Sequence, residues 1–131
     1  VTQKTAFTTY AERAREAGHT DLAKRLRAEQ QACSYLIAEC LRRNLTVSVH
    51  DGGEWCLLRS SDHHAILCAL ASTDTDTLRV RNADGTASAV FSLIYGNAGY
   101  EVIADHSDNA LANSIMDAIA PKLDVLEAHG H

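Results

Sequence analysis

The sequence predicts an α+β domain: a mostly antiparallel five-stranded sheet with helices packed on it and a long N-terminal helix. Three observations lead there. Apolar side chains recur at helical spacing up to about Arg43, and from Leu45 the period drops to two. Short apolar runs are separated by turn signatures, Asp51-Gly52-Gly53, Asn82-Ala83-Asp84-Gly85 and Gly96-Asn97-Ala98-Gly99. One helical crossover interrupts the strands, so the order is α-α-β-β-α-β-β-β-α and the helices are largely segregated from the sheet.

Taken in order, residues 8–17 carry Tyr10, Ala14 and Ala17 near helical spacing, with Phe7 just before them and Gly18 placed as C-cap. Thr20 is expected to cap a second helix running to about Arg43, with Asp21 favourable near its positive end. Its apolar stripe (Leu22, Leu26, Cys33, Leu36, Ile37, Cys40, Leu41) is interrupted by Glu29 and Gln30. The thin first half is therefore expected to project or to pack on a second chain. Leu45, Val47 and Val49 alternate with polar residues as a half-buried strand, and residues 54–59 return as the second, with Trp55 as a core anchor. Ser60-Ser61-Asp62 then caps a helix bearing Ile66, Leu67, Ala69 and Leu70. The third strand points Leu78 and Val80 inward and Arg79 and Arg81 outward; strands over 87–95 and 100–105 follow. A final helix from about Asp108 buries Leu111, Ile115, Ile119, Leu123 and Leu126, and Pro121 should kink or restart it. Residues 1–44 thus form a two-helix arm and 45–131 an α+β domain, within one folding unit.

The chain has 131 residues, 46% hydrophobic and 22% charged, with a single proline and no apolar run near the ~20 residues of a membrane span. The first nine residues lack the basic-then-apolar pattern of a secretion signal, so a cytoplasmic location is expected. The net charge of −5 is unevenly spread: residues 1–43 hold eight Lys/Arg against five Asp/Glu, and the remainder is strongly acidic. Acidic residues interspersed among the basic helical ones favour surface ion pairs over a nucleic-acid track, so nucleic-acid binding through those helices stands third among the functional readings. Cys33, Cys40, Cys56 and Cys68 show no C-x-x-C spacing and lie in apolar stretches, which reads as buried thiols in a reducing cytosol.

No Walker loop, G-x-G-x-x-G, G-x-S-x-G or H-E-x-x-H occurs. Strand directions alone gather His63, His64, Asp105, His106 and Asp108 at one end of the sheet, where two helices begin. Imidazoles with carboxylates suit a divalent metal, and helix N-termini suit an anion; the plainer reading is helix capping by Ser61/Asp62 and Ser107/Asp108. Strands two and four are apolar on both faces, so either the long helix or another protomer is expected to cover the second face. Leu22, Leu26, Arg25, Cys33, Val90 and Ile94 are therefore the candidate interaction surface.

V-H-D-G-G-E-W (49–55), the run Ser61–Leu78 ending A-L-A-S-T-D-T-D-T-L, Y-G-N (95–97) and V-I-A-D-H-S-D-N (102–109) resemble a group of small uncharacterised proteins from bacteriophages and prophages. The resemblance covers about half the chain and implies a setting, a small accessory protein in a bacterial cytosol, with no assigned activity. The expectation is a non-enzymatic protein-binding module that self-associates as a homodimer, without a cofactor and without a membrane. The alternative is a metal- or anion-dependent protein, in one form a hydrolase, using the His/Asp cluster.

Overall fold

A computed structural model describes residues 3–96 and 99–129; Val1, Thr2, Asn97, Ala98, Gly130 and His131 lie outside, and with them part of the expected turn Gly96-Asn97-Ala98-Gly99. The elements are α1 (Ala6–Glu16), α2 (Thr20–Arg42), β1 (Thr46–His50), β2 (Trp55–Ser60), α3 (His63–Cys68), β3 (Thr75–Arg81), β4 (Ser88–Ile94), a 3₁₀ turn (Gly99–Glu101), β5 (Ile103–His106) and α4 (Ala110–Ala128). This is the α+β order the sequence predicts. The sheet order is β2-β1-β3-β4-β5, antiparallel at every pairing. Because β1 lies between β2 and β3, α3 carries the chain over β1.

Local chemistry sets the element ends. Thr5 caps α1 by accepting from the Thr8 amide, and Gly18 at φ +83° lets the His19 and Gly18 amides satisfy Ala14 and Arg15 carbonyls. Asn44, at φ +61°, closes α2 in the same way, its amide and that of Leu45 bonding Leu41 and Cys40. Thr20 is the first residue of α2 and not its cap; His19 occupies that position without a side-chain bond. Asp62 caps α3 through the Ala65 amide. Asn109, and neither Ser107 nor Asp108, caps α4, which then runs through Pro121 without a restart. Tyr100 and Glu101, expected as the start of a strand, lie in the 3₁₀ turn Gly99–Glu101, and β5 starts only at Ile103.

One face of the sheet (Val47, Val49, Leu78, Val80, Ala89, Phe91, Leu93) forms the core with Leu36, Ile37 and Cys40 of α2, Ile66 and Leu67 of α3, and Ala112, Ile115 and Ile119 of α4. The long helix is therefore the centre of the core, and the first 44 residues are not a detachable arm. Its thin half does not project: α1 folds back on it, and Leu22 and Leu26 pack with Ala11, Ala14 and Ala23. Small residues on both helices let them approach closely enough to hide a sparse stripe.

The other face of the sheet is open. Arg79, Arg81, Val90 and Ile94 point there, with Ile94 40% exposed. Among the described residues no helix covers it: the long helix packs on the core face instead, and the doubly apolar pattern of β4 leaves Val90 and Ile94 on the surface. In β2 the expected faces are also rearranged. Val49 opposes Leu57 while its neighbour His50 opposes Trp55, and Val47 opposes Ser60. Each shift inserts an extra residue, and every bulge resets the period-two bookkeeping. Trp55 consequently stands on the open face, 38% exposed, and not in the core. Among the described residues no helix is long and apolar enough to cross a membrane.

Candidate functional site

The strand directions are as the sequence implies, but sheet order separates the predicted cluster. His63 and His64 follow β2, whereas Asp105, His106 and Asp108 lie at β5, on the opposite edge. Four strand spacings, ~19 Å, separate β2 from β5. His63 bonds the Ser34 hydroxyl at 2.8 Å, and burial lowers its pKa. His64 reaches the Gln3 carbonyl at 2.6 Å and the Cys68 thiol at 3.3 Å. Across the sheet, Asp105 accepts from the His106 amide, the His106 ring leans on Phe91, and Asp108 is exposed. Among the described residues no three His, Cys, Asp or Glu side chains converge as a metal set.

The predicted interaction surface is divided as well. Leu22 and Leu26 are taken up by α1, and Cys33 is fully buried in the core, where burial pushes its thiol pKa up. Val90 and Ile94 do lie on an uncovered surface. The thiols are likewise split: Cys33 and Cys40 are buried, but Cys56 is exposed and Cys68 partly so, because edge strand β2 and short α3 have no outer cover.

Arg25 belongs to a different site, one the sequence reading missed. Glu29, 1% exposed, accepts from the Gly96 amide at 2.7 Å, with Arg25 one turn earlier on the same helix. Asp76, 2% exposed, accepts from the Ala71 amide at 2.9 Å and the Tyr95 hydroxyl at 2.5 Å. Desolvation raises both carboxyl pKa values against these hydrogen bonds. The second oxygen of Asp76 and Nε of Arg25 are buried without a hydrogen-bond partner. Phe7 meets the Tyr95 ring edge-on at 5.6 Å. The group fastens Gly96 to α2 and Ala71, at φ +65°, to β3. Two sequence signals pointed to it: Glu29 falls on the apolar stripe of its helix, and period two carried back from Leu78 makes Asp76 inward-facing.

The open face holds the second missed constellation. A cleft of about 430 Å³ is lined by Ser48, Trp55, Leu58, Arg59, Arg79 and Arg81. The Arg79 guanidinium lies 4.8 Å from the Trp55 ring centroid, and His50 meets the same indole edge-on at 5.0 Å. Simple alternation from Leu57 would turn Arg59 toward the helices. Instead the β2 bulge sets Leu58 and Arg59 together opposite Ser48, whose hydroxyl accepts from the Arg59 amide at 2.9 Å. Arg59 takes φ +48° there, a conformation few non-glycine residues adopt. Among the described residues none of the three arginines is within ion-pair distance of a carboxylate, in contrast to Arg42 and Arg43, which both hold Glu39 and keep its pKa down at about 2.

Searches of protein-family models, curated proteins and solved structures found no match to this chain.

Proposed function

We propose that this chain is a non-enzymatic binding protein whose working surface is the open face of the sheet. The observation that supports this most is the cleft itself: three guanidiniums that, among the described residues, have no acidic partner, beside an exposed indole on a face that none of the described helices covers. Trp and Arg are the side chains most enriched where binding energy concentrates, because they combine large contact area with directional polar groups. The β2 bulge adds to this reading, since it brings Arg59 onto the face at the cost of an unfavourable backbone conformation. The phage or prophage setting and the bacterial cytosol are parts of the same proposal; they rest on the resemblance of residues 47–109 and on four unpaired cysteines.

The test is a comparative pull-down from bacterial lysate. An Arg79→Ser/Arg81→Ser variant should lose a partner that wild type and an Arg13→Ser/Arg15→Ser helix variant both keep. A partner retained equally by all three would overturn the assignment to the sheet.

A second reading is self-association through this face. It is favoured by Leu58, 67% exposed at the β2 edge, and by Ile94 on β4. Light scattering should then show a dimer that Leu58→Asp dissociates.

A further inference from the structure

Resting on that binding reading, we propose that the open face takes single-stranded nucleic acid, with phosphates on Arg59, Arg79 and Arg81 and a base against Trp55. Charge complementarity is the first argument. The chain is acidic overall, yet this cleft gathers three guanidiniums with no carboxylate partner among the described residues. Asp84 lines the adjoining hollow with Arg59 and Arg81, but its carboxylate accepts from the amide and hydroxyl of Thr86. Asp105 points to the same face from the far edge strand.

Spacing is the second argument. Arg79 and Arg81 are two residues apart on one strand, so their Cα atoms are ~7 Å apart, comparable to successive phosphates along an extended single strand. Arg59 adds a third cation on the neighbouring side of the cleft. Each planar guanidinium can hold a phosphate through two parallel hydrogen bonds.

The indole is the third. Trp55 sits at the cleft wall with part of its surface open, and any base can stack on an aromatic ring, which gives sequence-tolerant single-strand binding. The cleft has the volume of a small-molecule pocket, enough for a splayed nucleotide. An acidic polypeptide fits less well. A carboxylate side chain has no ring to stack on the indole, whereas every base does.

Trp55 is the chain's one tryptophan, so its fluorescence reports this site alone. The experiment titrates the full chain with a ten-nucleotide oligothymidylate at low salt, following Trp55 emission and the anisotropy of an end-labelled oligonucleotide. Quenching is expected, with a log K against log salt slope of about −2, from roughly 0.7 per phosphate at three arginines. Arg79→Gln should reduce that slope by about 0.7, and Trp55→Leu should weaken binding about ten-fold by anisotropy. Urea midpoints near wild type would show that both variants are folded, and Arg13→Gln/Arg15→Gln should bind like wild type. Absence of quenching, or a salt slope unchanged in Arg79→Gln, overturns the inference. Polyglutamate serves as the second probe. If it quenches Trp55 and the oligonucleotide does not, nucleic acid is excluded while the binding face stands. If neither quenches, nucleic acid is excluded too, and the comparative pull-down alone decides whether the binding reading survives.

Discussion

Gly99 begins the 3₁₀ turn that lies against α2, and replacing it with alanine should destabilise the protein sharply. A Cβ built there would sit 2.5 Å from the Ala28 Cβ, 2.8 Å from the Arg25 carbonyl oxygen and 3.2 Å from the Glu29 amide nitrogen. Carbon atoms in good contact are about 3.5–4.0 Å apart, so the turn must retreat by ~1 Å. Nothing nearby is the end of a flexible side chain, and α2 is pinned in the core by Leu36, Ile37 and Cys40. The turn therefore moves, and with it goes the 2.7 Å bond from the Gly96 amide to Glu29. Overpacking of this kind costs about 1–3 kcal/mol, and weakening a charge-assisted bond adds about 1 more, so a loss of ~2–4 kcal/mol is expected. For a domain of this size that corresponds to a Tm drop of ~10 °C. Urea unfolding followed by circular dichroism measures it, with Gly53→Ala as control, where the nearest atom is Asp51 Oδ1 at 3.5 Å. Ala28→Gly combined with Gly99→Ala should recover part of the loss and no more, because the Arg25 carbonyl remains in the way. A Gly99→Ala midpoint equal to that of Gly53→Ala would refute the close-approach argument.

Glu29→Gln keeps an acceptor for the Gly96 amide and removes the charge. Burial raises the native pKa of Glu29, so the native state holds its proton to higher pH than the unfolded state does. Its contribution to stability is fully present below the unfolded value of ~4.3 and falls as pH rises through the raised native value. The stability difference between variant and wild type should thus move in the variant's favour from pH 4 to 8, measured by urea midpoints; a flat difference contradicts the assignment. Asn109→Ala removes both the α4 cap and the bond from its side-chain amide to the Ser88 carbonyl, and should lower stability by about 1–2 kcal/mol in the same assay. A thiol reagent at pH 8 should label Cys56 and Cys68 in the folded protein, and Cys33 and Cys40 only after unfolding, since burial pushes the Cys40 thiol up to about 12. Mass spectrometry of the labelled peptides reads the order, and rapid labelling of Cys33 would contradict the packing of α2.

Much of this architecture was written in short-range pattern. The order of elements, the direction of each strand and the inward set Val47, Val49, Leu78 and Val80 follow from the change of period at Leu45 and from the turn residues. Those signals are legible because each acts within a few residues of itself. What the tertiary structure decided is everything that depends on neighbours. The His/Asp cluster came apart because direction says which end of a sheet a residue reaches, and only strand order says which edge. Trp55 and Arg59 changed faces because a bulge leaves no mark in composition yet reverses every later position in a strand. The sparse half of α2 found its cover in α1, since closeness between small residues is a property of two surfaces and not of one stripe. Pattern records which side chains leave water. Which partners they meet, and hence which arginines remain unpaired on an open face, is settled by packing across elements far apart in the chain.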